Sequence, residues 1–148
     1  MGQEAIRKNQ VFLTNSQAVP LEELDREGAK NVKVRNLIDD RHGSDRFALR
    51  LYTVPRGGHT PLDRHAYEHQ VYILSGQGLI RQEEDDRPFM RTVRPGDAIF
   101  VPSNAVHQFS NVNEEPLVFL CVKGNPMLYS SGAQAGASSG ESTDKNCC

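Results

Sequence analysis

From Asn31 to Val122 the chain is a succession of short apolar or alternating segments: NVKVRNLI, RFALRLYTV, HQVYILSG, GLIRQ, FMRTV, AIFV, VHQFS and LVFLCV. Each has the length of one strand and none is long enough for an ordinary helix. Turn-forming pieces separate them, among them DDRHGSD, PRGG, SGQG, EEDDRP, RPGD, PSN and NVNEEP. That spacing predicts an all-β sandwich or barrel. One short helical turn is expected near the N-terminus, in VPLEELDREG, where Pro20 stands at the start, acidic residues fill the first turn and Gly28 follows.

A chain of 148 residues that is 37% apolar suits one compact domain with one core. Residues 15–129 are the expected folded unit, with residues 1–14 as an N-terminal arm. Residues 130–148, SSGAQAGASSGESTDKNCC, hold no large apolar side chain and are expected to be a disordered tail. A net charge of −2 with scattered Lys and Arg gives no basic field, so nucleic acid is not an expected partner. No apolar run approaches a membrane span, and MGQEAIRKNQ lacks the apolar centre of a signal peptide, so the expected location is the cytoplasm with no membrane partner. Cys147 and Cys148 are adjacent in the tail and cannot staple a fold, while Cys121 in PLVFLCVKG reads as a small buried apolar side chain. There is no phosphate-cradling glycine loop, no GxSxG elbow and no CxxC pair.

Three of the five histidines fall between Gly57 and Gly76, in GGHTPLDRHAYEHQVYILSG. Asp63 and His65, two apart, share a face if the chain is extended, and His69 follows at an even interval. His107 lies on another predicted strand, with Ala105 and Phe109 on its own face. Three imidazoles and one carboxylate converging inside a barrel would satisfy one divalent transition metal (Mn, Fe, Ni or Zn) while leaving coordination positions open. His59, beside Thr60 and Pro61, and His42, in DDRHGSD, read as loop and turn residues.

The two segments resemble the paired motifs of the cupin superfamily, G(x)5HxH(x)3,4E(x)6G and G(x)5PxG(x)2H(x)3N. Gly57, Asp63, His65, His69 and Gly76 keep the register of the first, with Asp63 for the first His and His69 for the Glu. Gly96, Pro102, His107 and Asn111 keep that of the second, with Asn104 for the inner Gly. RHAYEHQVYILSG further resembles a subset of small cupins that bind metal through four histidines, in which Gln70 would be Glu. The resemblance implies a double-stranded β-helix, that is a jelly-roll barrel, with a metal held by His65, His69, His107 and Asp63. Asp63 would ligate directly, ligate through a water, or leave three histidines to bind alone. It also implies a metal-dependent enzyme of dioxygenase, decarboxylase or isomerase type acting on a small oxygen-rich molecule. The alternative is a non-catalytic small-ligand binder or sensor, with metal absent or structural. A homodimer is expected in either case, since small barrels of this family pair through exposed edges.

In FALRLYTV, Phe47, Leu49 and Leu51 lie on one face and Arg50 and Tyr52 on the other. If that second face is inward, Arg50 is a candidate partner for a substrate carboxylate, beside Tyr52. Gln70 and Phe109 complete the expected substrate-binding set. Tyr72, Phe100 and Phe109 are expected in the core or the pocket wall.

Overall fold

The structure, a computed structural model, describes residues 9–129. The expected tail of residues 130–148, and residues 1–8 of the expected arm, lie outside the described residues. Among the described residues nine strands form two antiparallel sheets: β1 (Glu22–Glu23), β2 (Lys33–Ile38), β3 (Phe47–Val54), β4 (His69–Ser75), β5 (Gly78–Glu84), β6 (Arg87–Val93), β7 (Ala98–Val101), β8 (His107–Ser110) and β9 (Leu117–Gly124). The larger sheet runs β1-β2-β3-β9-β4-β7 and the smaller β6-β5-β8. All eight expected strand segments form strands.

The expected helical turn over VPLEELDREG is not helical. Glu22 and Glu23 pair with Val34 and Lys33, and a 3-10 turn forms earlier, over Ser16–Ala18, where the Asn15 side chain accepts from the Gln17 N–H. Pairing with β2 overrides the local helix signals there.

Strand alternation faces one set of side chains into the space between the sheets. Val34, Tyr52, Val54, Val71, Ile73, Phe119 and Cys121 of the larger sheet meet Ile80, Val93 and Phe109 from the smaller one. Burial of each large side chain stabilises the fold by about 1.5–3 kcal/mol. Phe109 and Phe119 pack with ring centroids 4.7 Å apart at the centre. The opposite parity of β4 and β7 puts Gln70, Tyr72, Leu74 and Phe100 on the outer face, so Tyr72 and Phe100 are exposed rather than in the core or wall.

Two backbone features fix the strands that carry the histidines. Gly76, after β4, has φ +76°, and a Cβ there would lie 2.1 Å from the Pro116 carbonyl oxygen, so no other residue fits. The segment before β4 runs beside β8 as an additional, irregular edge: Thr60 N–H donates to the Phe109 carbonyl, and Asp63 and His107 exchange both backbone hydrogen bonds at 3.0 Å.

Candidate metal centre

His69 opens β4 and His107 opens β8, both pointing between the sheets and buried, while His65 lies in the loop that enters β4. That loop is held from across the barrel: the backbone N–H of Asn104 donates to the His65 carbonyl at 2.7 Å. Asn104 has φ +65°, the left-handed conformation that suits the glycine of the resembled motif and that Asn tolerates better than most residues.

One ring nitrogen from each of His65, His69 and His107 lies within 4.8 Å of the other two. The opposite nitrogens are committed elsewhere. His65 Nδ1–H donates to the Tyr67 carbonyl at 3.1 Å and His107 Nδ1–H to the Ala105 carbonyl at 2.9 Å. A carbonyl only accepts, so both rings are held as the tautomer whose Nε2 carries a lone pair. His69 Nδ1 lies 3.4 Å from the Cys121 sulfur, which can donate or accept, and His69 Nε2 lies 2.9 Å from His65 Nε2. Burial, foremost, then the neighbouring His65, His107, Arg50 and Lys123, hold the His69 pKa well below its ordinary 6.5. The ring is neutral at neutral pH, as a ligand must be. Two lone pairs oriented by a bond at the far nitrogen, and a third ring nitrogen, His69 Nε2, that converges with them and can give up its proton, are what a metal held by imidazoles requires, so the donor set fits a divalent transition ion.

Asp63 does not join this group of donors. Its carboxylate accepts from the Arg26 guanidinium at 2.7 Å and from the Arg64 backbone N–H at 2.9 Å, and both side chains of the ion pair are largely buried. Asp63 is the last residue bridged to β8, opposite His107, and its carboxylate is taken by Arg26.

The expected substrate-binding residues separate. Arg50 is buried on the inner face and donates to the Tyr52 hydroxyl at 2.9 Å. Tyr52 stacks on Phe119 within the core, and Phe109 is fully enclosed beneath His107, so neither lines an opening. Gln70 points outward from β4, away from the histidines, because His69 points in. His59 stays in its loop against Thr60 and Gln108, and His42 caps its own turn by accepting from the Asp39 N–H.

The sequence reading missed Lys123. It is buried, stands directly across from His69 in the β4–β9 ladder, and places its ammonium 4.8 Å from the Tyr67 ring centroid. Tyr67 in turn stacks flat on His65, centroids 3.8 Å apart. The signal was available: Leu117, Phe119, Cys121 and Lys123 share one parity on β9. Arg50 and Lys123 also form the inner wall of an open cleft of about 250 Å³ whose lip carries Phe47, Pro126 and Met127.

Over 74 residues the chain is 36% identical to 1-methylthio-D-xylulose 5-phosphate methylsulfurylase of Rhodospirillum rubrum, a match covering 50% of this chain and 45% of that protein. It is 28% identical over 122 residues to auxin-binding protein T85 of Nicotiana tabacum, covering 78% of this chain and 64% of that one. The chain spans less than two thirds of the length of the curated relatives it matches. Among solved structures, the polyketide cyclase RemF from Streptomyces resistomycificus superposes with a TM-score of 0.72 at 32% identity, over 78% of this chain and 80% of that chain. The cupin domain model matches residues 50–123, the span from Arg50 to Lys123 that holds all three clustered histidines, and the chain belongs to the cupin family.

Proposed function

We propose that this cupin is a metal-dependent enzyme that acts on a small oxygen-rich molecule through dioxygenase, decarboxylase or isomerase type chemistry. The observation that carries the reading is the convergence of His65, His69 and His107, with two of the three tautomers fixed by backbone carbonyls. A bound Mn, Fe, Ni or Zn ion would supply a Lewis acid with open coordination positions. The chain's own residues orient the rings through the Tyr67 and Ala105 carbonyls, stack Tyr67 on His65, and set Lys123 directly across from His69. Asp63 is a positioning residue in this reading, fixing the entry loop through Arg26 and the His107 backbone.

A second reading, a non-catalytic small-ligand binder, is favoured by the likeness to a protein named for auxin binding. Metal content by plasma mass spectrometry on protein purified without chelator tests the first. Near-stoichiometric metal is expected in the parent and in Asp63→Ala, and its loss in His107→Ala. A parent that takes up no metal even on reconstitution refutes the enzyme reading and leaves the binder. Metal lost from folded Asp63→Ala refutes the three-histidine site.

A further inference from the structure

The cleft beside the histidines joins two features that no single role at a metal explains. Its inner wall holds Arg50 and Lys123, both on inward-facing positions and both at most 4% exposed. Its lip holds Phe47, 57% exposed, and Met127, 74% exposed, large apolar side chains left in solvent. The ladders tie the cations to the histidines. Lys123 is opposite His69, and Arg50 is opposite Cys121, whose sulfur touches His69.

Two buried cations against three imidazoles make an interior that favours anions, and a divalent ion at the histidines adds to the same sign. The acidic residues of the cleft, Asp39 and Asp40, sit on the turn at its rim, and Asp39 is engaged by Arg41 at 3.0 Å. The volume lies below the range of pockets that take drug-sized ligands, which excludes a nucleotide or an oligosaccharide. Neither the first turn of an α-helix nor a glycine-rich loop lines the cleft to cradle a phosphate. A planar guanidinium and an ammonium carried into one cleft by the paired strands β3 and β9 suit a carboxylate, and the exposed lip suits an apolar body attached to it.

We propose that the cleft binds a small organic acid, with its carboxylate between Arg50 and Lys123 and its apolar body against Phe47 and Met127. This deepens the enzyme reading by naming its substrate class and rests on that reading only for what happens at the histidines. Binding of the acid itself needs no metal.

The test is isothermal titration of the full-length chain, as purified and after metal removal, with phenylacetate, 2-phenylethanol, acetate and inorganic phosphate. Phenylacetate is expected to bind both preparations at least about tenfold tighter than the neutral alcohol, which lacks the charge, and than acetate, which lacks the body. Lys123→Met is expected to weaken phenylacetate by a similar factor. The double change Phe47→Ser, Met127→Ser alters only exposed side chains, so it remains informative if Lys123→Met fails to fold, and it too is expected to weaken phenylacetate. Equal affinity for acid and alcohol, or no effect of the lip variant, overturns the proposal. Phosphate binding tighter than phenylacetate overturns the carboxylate assignment. Metal content on the same batch separates the two readings: a metal-loaded protein that ignores phenylacetate refutes the cleft alone, and a protein that binds it but takes up no metal even on reconstitution refutes the enzyme alone.

Discussion

Removing the Cys121 sulfur should weaken the metal site without dismantling the fold. In the metal-free protein, two lone pairs facing each other across the 2.9 Å between His69 Nε2 and His65 Nε2 would repel. The stable arrangement therefore puts the His69 proton on Nε2, donating to His65, while the Cys121 thiol donates to His69 Nδ1. A metal needs that Nε2 lone pair. With a metal held there the proton would sit on Nδ1 instead, where the Cys121 sulfur, 3.4 Å away, would accept from it. Cysteine serves both states because sulfur accepts as well as donates, and alanine serves neither. In Cys121→Ala the metal-free ring still donates to His65, but the metal-bound ring carries a buried N–H with no sulfur to receive it. An unmet buried donor costs about 1–3 kcal/mol. That range brackets the loss of about 10–100-fold in metal affinity seen when the outer partner of a ligating histidine is removed.

The void left by one sulfur at a position only 1% exposed should cost the metal-free fold about 1 kcal/mol. Zinc affinity measured by competition with a chromogenic chelator at neutral pH, beside thermal melts of the metal-free proteins, separates the two effects. Cys121→Ser, whose hydroxyl also donates and accepts but reaches less far, should fall between parent and Ala. A folded Cys121→Ala protein that binds zinc within about threefold of the parent refutes the tautomer argument.

Three further outcomes are expected. The His69 pKa lies well below 6.5, so the unfolded chain takes up a proton that the folded, metal-free chain refuses. Its contribution to stability is present above pH 6.5 and is lost as pH falls from there toward the folded pKa, by up to about 1.4 kcal/mol per pH unit; urea unfolding across pH 4–8 checks this, with His69→Gln flattening the dependence. Asn111 is 1% exposed and bridges three backbone groups, donating to the Val54 and Glu115 carbonyls and accepting from the Asn113 N–H. Asn111→Ala should cost about 2–4 kcal/mol in chemical unfolding yet leave metal stoichiometry in the folded protein unchanged. Asp85 and Asp86 form the two-residue β5–β6 turn with φ +51° and +61°, so the change to Asn-Gly should raise stability by about 0.5–1 kcal/mol, read as a higher melting temperature.

Much of this was legible in the sequence because a strand announces itself by alternation and a turn by its residues. The eight segments, and the face that His107 shares with Ala105 and Phe109, follow from period two. What alternation cannot report is a partner remote in sequence. Arg26 is 37 residues from Asp63, and nothing in the spacing of either predicts that it takes the carboxylate. The expected helical turn failed for the same reason, since Glu22 and Glu23 answer to β2 rather than to Pro20. Parity does hold between Asp63 and His65, both half-buried with the exposed Arg64 between them, but it says nothing of which group each side chain meets.

Parity is silent on one further matter, and there the chemistry is most exposed. Alternation sorts FALRLYTV into two faces but leaves open which is inward, and the preference of charge for water would send Arg50 out. The Arg50–Tyr52 bond and the Lys123–His69 register show the reverse: two cations occupy inner positions that apolar side chains would fill at less cost. A chain that keeps its inner faces apolar along most of β3 and β9, and breaks that rule only where both strands pass the three histidines, carries there a charge pattern that packing alone does not call for. The proposal of an anionic ligand rests on that break more than on the histidines.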